Sequence, residues 1–173
     1  STLAGTYGTL RIHTRNGDYT YTPNTAAIEA LNDGDNHEEV FKFRISDSQD
    51  HRESWYVVYI TGADDPPVIK GSTSADLTED SDLSFKGPIS ISDVDSNDSP
   101  FFPPVSRQTS TSAFGLYSFS GGNWAYSLTN PPPLRSGQTG SDSFSLTASD
   151  GTTHTISINI NGADDAPVLK ATK

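Results

Sequence analysis

Residues 61–70 read TGADDPPVIK and residues 161–170 read NGADDAPVLK. Each follows an alternating run of apolar and polar residues, and each places Gly-Ala, two adjacent aspartates and a proline before an apolar pair and a lysine. Asp64 and Asp164 lie 100 residues apart. Working outward, YGTLRIHTRNGDYTY at 7–21 matches FGLYSFSGGNWAY at 114–126. Tyr7 then aligns with Phe114, Gly8 with Gly115, Tyr19 with Trp124 and Tyr21 with Tyr126. FKFRISD at 41–47 matches FSLTASD at 144–150, which sets Asp47 against Asp150. Gaps of a few residues suffice, so the chain carries an internal repeat of about a hundred residues.

Within each copy the apolar residues recur at period two, the pattern of half-buried strands. TYGTLRI, DYTYT, VFKFRIS, SWYVVYI, PISISD, FGLYSFS, WAYSL, SFSLTAS and HTISINI all follow it. RNGD, SGGN and SDGTT between them carry hairpin-turn chemistry. One segment reads as helix: NTAAIEALNDGD starts after an Asn cap and stops at Gly34. Three prolines at 131–133 forbid that helix in the second copy. The expected fold is all-β, a tandem of β-sandwiches with boundaries at 1–65, 66–165 and 166–173, the last beginning a further linker or domain. The copies are unequal. About 45 residues precede Phe114 in its repeat and almost nothing precedes Tyr7, so the first unit is expected to lack its N-terminal strands. Four strands from some 60 residues leave open edges and a one-sided core. Either the chain is cut inside a domain or another segment of the parent protein supplies those strands.

At 173 residues the chain is long enough for one or two domains, and its 32% hydrophobic content suffices for small cores. It has no methionine, at its start or elsewhere, and reads as part of a longer protein. A net charge of −11, from 22 acids against 11 bases, argues against nucleic acid and anionic membranes as partners. No run of 18 apolar residues suggests a membrane helix. Solubility explains the sum of the acids but not their clustering at 33–39, 47–53, 64–65, 76–82 and 93–98. Like charges crowded into short turns repel unless a cation sits between them. Cysteine is absent, which removes disulfides and thiolate ligands, and the four histidines are scattered at 13, 37, 51 and 154. Zinc and copper are disfavoured. Calcium takes six to eight oxygen ligands. Asp93 and Asp95, two apart in a turn, can face one such ion, and Asp98 can extend the site.

The motifs TEDSDLSFKGPISISDVDSNDSPFF (78–102), FGLYSFSGGNWAYSL (114–128), SDSFSLTASDGTTHTISINI (141–160) and GADDAPVL (162–169), with GTYGTLRI, NGDYTYT and GADDPPVI in the first copy, cover nearly the whole chain. Together they resemble the VCBS-type, cadherin-like repeats of large bacterial surface adhesins, including RTX adhesins. The resemblance implies Ig-like or cadherin-like sandwiches strung in tandem outside the cell, with Ca2+ at the junctions. Asp64 and Asp65 would supply the linker ligands, Asp93 and Asp95 the D-x-D turn, and Asp150 a strand-end carboxylate. Glu79 and Asp80 would face the next junction at Asp164 and Asp165, and Asp47 a junction upstream. The acidic triplet that cadherins place before a late strand is missing from LRSGQTG at 134–140.

Each assignment has a plainer rival. Asp150 before Gly151 suits a turn, Glu79 and Asp80 suit a solvated edge, and Asp33, Asp35, Glu38 and Glu39 suit a solvated loop. Trp55, Trp124, Tyr19 and Tyr21 read as core anchors. Phe101 and Phe102 either cap the core or face a partner. No sequence motif of a catalytic nucleophile, zinc protease or phosphate loop is present. The function expected is therefore a non-catalytic, calcium-stiffened extender of a bacterial cell-surface adhesin, serving adhesion or biofilm formation. Its partners would be neighbouring repeats, with host or biofilm glycans and proteins bound by other domains. The alternatives are a glycan- or peptide-binding module, or an accessory module of a secreted hydrolase.

Overall fold

A computed structural model describes residues 1–164. Among them are thirteen strands and one short helix, in two compact units. The first comprises Ser1–Pro66 with Asp93–Ser99; the second comprises Pro67–Ser92 and the described residues from Pro100 on.

The second unit is a β-sandwich. One sheet has the order β6 (Val68–Gly71), β8 (Ser84–Ser92), β11 (Asn123–Leu128), β10 (Gly115–Ser120), β9 (Val105–Thr109). The other has the order β12 (Thr139–Thr147), β13 (Thr153–Asn161), β7 (Ser74–Thr78), with β7 parallel to β13. Period two sends Phe144 and Leu146 of β12 and Ile156, Ile158 and Ile160 of β13 inward, all at most 2% exposed. Trp124 meets them from the facing sheet, its ring 5.5 Å from that of Phe144. Trp124 also donates its indole N–H to the Ser72 carbonyl at 2.7 Å, so the ring is buried without an orphaned donor. Phe102 packs on Phe119 inside this core and Phe101 stays exposed.

The first unit repeats part of this plan. β1 (Thr2–Ala4), β2 (Gly8–Ile12) and β3 (Tyr19–Pro23) form one sheet, and β4 (Asn36–Ser46) and β5 (His51–Thr61) another. There are five strands where the sequence suggested four, because the short β1 carries no alternation long enough to read. Pairing confirms the repeat alignment. Leu10 sits opposite Tyr21 as Tyr117 sits opposite Tyr126, and Phe41 opposite Tyr56 as Phe144 opposite Ile156. The helix α1 is only Thr25–Glu29. Asn24 precedes it without capping it, since its side-chain amide donates to the Thr6 carbonyl instead.

Two aromatic expectations fail. Trp55 is 65% exposed because Ile60 points inward, and period two then puts Tyr56 and Val58 inside and Trp55 outside. Tyr19 is on the face that buries Trp124 but is 57% exposed; Trp124 is covered by Phe85 of β8, and the first unit has no such strand among the described residues.

Both units share a device the sequence did not advertise. Asp142 is 4% exposed and its carboxylate accepts from Ser110 Oγ, from Tyr126 Oη (2.8 Å) and from the amides of Ser112 (2.9 Å) and Ser143 (2.7 Å). Burial alone pushes its pKa up, but these donors outweigh burial and hold it below the usual value. Burial and the neighbouring carboxylate push the Tyr126 pKa up. In the first unit Glu39 takes the same place, accepting from Tyr7 N (2.9 Å) and Tyr21 Oη (3.2 Å). Glu38 and Glu39 thus lie on β4 rather than in a solvated loop, and Glu39 is a cross-link. The glycines follow from the tyrosines: a Cβ on Gly8 or Gly115 would lie 2.3 Å from the ring carbon bearing the hydroxyl of Tyr21 or Tyr126.

Removing the Asp142 side chain (Asp142→Ala) is expected to cost about 1–3 kcal/mol in urea unfolding, since Ser110 and Tyr126 lose a buried partner. Gly115→Ala should cost a similar ~1–3 kcal/mol by overpacking against Tyr126. A depressed folded-state pKa stabilises above the unfolded-state value and is lost as pH falls through the folded one. The stability gap between wild type and Asp142→Asn should therefore narrow below about pH 4.

Candidate metal site

The end of β5 and the turn after β8 build this site inside the first unit. Gly62 follows β5 and donates its amide to the Asp35 carbonyl at 2.9 Å. A Cβ there would fall 2.2 Å from the Asn32 carbonyl oxygen, so only glycine lets the chain pass. Gly62 leads directly through Ala63 to Asp64 and Asp65.

The turn Asp93–Ser99 is held from both sides. Internally, Asp93 Oδ1 accepts from Asp95 N at 3.0 Å, and Asp98 N donates to the Asp95 carbonyl at 3.1 Å. Externally, the segment after α1 grips it. Ser96 N donates to the Ala30 carbonyl (3.2 Å), Asn97 N to Asn32 Oδ1 (3.0 Å), and Asn32 Nδ2 to Ser96 Oγ (3.2 Å). Asn32 is fixed in turn by Asp35, whose Oδ2 accepts from its backbone and side-chain N–H groups and whose pKa these bonds lower. Asp35 therefore orders the loop; Asp33 is exposed.

These contacts bring Asp64, Asp95 and Asp98 together, with one carboxylate oxygen from each within 4.8 Å of the others. Asp95 is the centre. It is 3% exposed, its Oδ2 accepts from Asp65 N at 2.9 Å, and its Oδ1 is buried with no hydrogen-bond partner. A buried carboxylate oxygen without a donor costs on the order of 1–3 kcal/mol or more, and two further carboxylates beside it raise that cost. A divalent cation removes both penalties, and the donor set is all oxygen, as calcium requires. The residues fit such an ion.

The other residues proposed from the sequence make the following contacts. Asp65 contributes its amide, and Asp93 spends one carboxylate oxygen on its own turn. In the second unit Asp150 accepts from Thr152 N (2.8 Å) and Thr152 Oγ1 (3.0 Å), the turn-forming role. Asp47 does the same in the first unit, accepting from Gln49 N and Asp50 N at 2.8 Å each, and these bonds lower its pKa. Glu79 is 5% exposed; its Oε1 accepts from Ala163 N and its amide donates to the Asn161 carbonyl, each at 3.1 Å. It thus stands beside the second Gly-Ala-Asp-Asp. Asp80, next to it, is exposed with φ of 69°, and Asp164 is exposed. Asp165 lies outside the described residues. Sequence reasoning missed Asn32, which it assigned to the tail of a helix; Asn-Asp-Gly-Asp at 32–35 was the available turn signal.

Residues 64–162 match the family model of the bacterial cadherin-like domain. No curated protein gives a significant match to the chain.

Asn32→Ala should leave both units folded but free the turn. The amides of Ser96 and Asn97 are then expected to exchange with solvent at least tenfold faster in hydrogen-exchange NMR.

Proposed function

Because the chain belongs to the bacterial cadherin-like domain family, we propose that it is a non-catalytic, calcium-stiffened extender repeat of a bacterial surface adhesin. The observation that carries this reading is the buried, unpartnered Oδ1 of Asp95 within reach of Asp64 and Asp98. Asp64 follows β5, the last strand of the first unit. Asp95 and Asp98 belong to a turn that the chain enters from β8 and leaves toward β9, both strands of the second unit. A shared cation on these three carboxylates ties consecutive repeats through one coordination shell. Without it, the acids repel and the turn loses that tie. Pro66 and Pro67 follow the acid pair and restrict the backbone at that point.

Asp65 and Asp93, in the same two segments of the first unit, are proposed as further ligands. Glu79, Asp80, Asp164 and Asp165 form the corresponding set for a following repeat, and Glu79 bonded to the Ala163 amide supports that placement. No helix among the described residues is long and apolar enough to cross a membrane. The repeat would project other domains, which bind host or biofilm glycans and proteins, from the cell surface.

Millimolar calcium is expected to raise the Tm by several degrees over chelator, as ligand binding to the native state alone does. Asp95→Asn should separate the two roles of the carboxylate. In chelator it melts at or above wild type, because one buried charge is gone; in calcium it loses most of the metal-dependent gain. A Tm for wild type that is identical in calcium and chelator overturns the reading.

A further inference from the structure

The β4–β5 sheet turns Phe41 and Ile60 inward, and period two sends Glu38, Val40, Lys42, Trp55, Val57 and Tyr59 to its outer face. Register sets these outward residues in cross-strand pairs: Glu38 with Tyr59, Val40 with Val57 and Lys42 with Trp55. Trp55 is 65%, Tyr59 77% and Val40 43% exposed. The face is on the side away from the core, so its exposure does not depend on how the inner side is covered. The second unit supplies the control. Its matching sheet, β12–β13, fills the same three pairs with Ser141 and Asn159, Ser143 and Ser157, and Ser145 and Thr155. Short polar side chains suffice for a face turned to solvent, and Ser145 and Thr155 bond each other at 3.0 Å. Two aromatic rings, two valines and two opposite charges on the same frame are a departure that folding does not require.

The pattern is symmetric. Glu38 and Lys42 stand two residues either side of Val40, and Tyr59 and Trp55 two residues either side of Val57. At about 3.4 Å per residue, each lies about 7 Å along the strand from the valine pair. A two-fold axis running across the strands, over Val40 and Val57, therefore lays a second copy's face on this one with every position matched. Glu38 meets Lys42 of the second copy and Tyr59 meets its Trp55; each contact occurs twice, and the valines meet on the axis. Reversing the direction of the second copy's strands is what brings the opposite charges together. Net repulsion is also least here. In a chain of net charge −11, this face carries two acids, Glu38 and Glu53, and two bases, Lys42 and Arg44.

We infer that the outer face of β4–β5 is a self-association surface, through which two copies of this chain pair face to face about a two-fold axis at Val40 and Val57. Two strands of 11 residues each offer a face on the order of 400 Å² per copy. That is the size of a weak, reversible contact, not an obligate one. The aromatic rings and valines supply its apolar centre, and the two charge pairs fix its direction. The inference does not rest on calcium.

The test is sedimentation velocity in chelator, where the metal site plays no part. The weight-average mass of the chain is expected to rise about 1.5-fold by about 1 mM, the affinity range of so small a contact. Glu38→Lys or Lys42→Glu alone sets like charges against each other and should abolish the rise. Mixing the two variants in equal amounts should restore it, because each altered position then meets its opposite charge on the other chain. Trp55→Ala should abolish association alone and in any mixture. These side chains are exposed, so the β4–β5 amide signals of each variant should remain those of a folded unit. A mass that stays at the monomer value up to about 1 mM overturns the inference; if added maltohexaose then shifts the Trp55 and Tyr59 signals, the face belongs to carbohydrate. Association that survives all three substitutions, or that the mixture fails to restore, also overturns it and places the contact on another surface.

Discussion

A carboxylate taken out of water must find donors or a cation, and that demand organises this chain. Asp142 meets it with four donors, two hydroxyls and two amides, and stays ionised inside the core. Asp95 is as deeply buried yet leaves Oδ1 unbonded, with Asp64 and Asp98 converging on it. The same side chain in two surroundings thus has two meanings. One is a neutral-donor cage that locks a strand to a loop. The other is a cluster of carboxylates that could hold a cation.

The cage is a shared part of the repeat. A tyrosine on the second strand of a hairpin reaches a carboxylate two residues before a buried phenylalanine, and a glycine opposite makes room for the ring. Glu39 is one methylene longer than Asp142, and in its copy Tyr21 and Tyr7 N replace the fuller donor set. The loop after each hairpin repeats as well. Asn32 N bonds Asp35 Oδ2 and Arg135 N bonds Gln138 Oε1, while Gly62 and Gly162 donate to the carbonyls of Asp35 and Gln138. What differs is the side chain presented outward. Asn32 offers an acceptor to the Asn97 amide; Arg135 has none to offer. A conserved backbone frame therefore carries a turn-binding surface whose chemistry is set by one residue.

Local order and function meet at that surface. The Asp93–Ser99 turn has no extended strand pairing, and bonds to Ala30 and Asn32 and one from Asp65 are among those that position it. Such a segment is among the first to open.

Period two in the sequence was enough to locate nine of the strands, and the 100-residue offset of the Gly-Ala-Asp-Asp clusters was enough to identify the repeat, because both depend on neighbours along one chain. β1, β6, β7 and β9 were not legible: short strands rest on their partners more than on their own pattern, and these four lack the hairpin-turn signal, RNGD, that joins the equally short β2 and β3. The inward or outward sense of Trp55 was decided by register, which alternation alone leaves two-fold ambiguous. The acids were visible as clusters, but which of them meet was not. Asp64 and Asp95 are brought together by the grip of Asn32 on a turn distant in sequence, while Asp93 and Asp150 each accept from an amide of their own turn. Composition and periodicity report what each segment needs; only packing decides which segment supplies it.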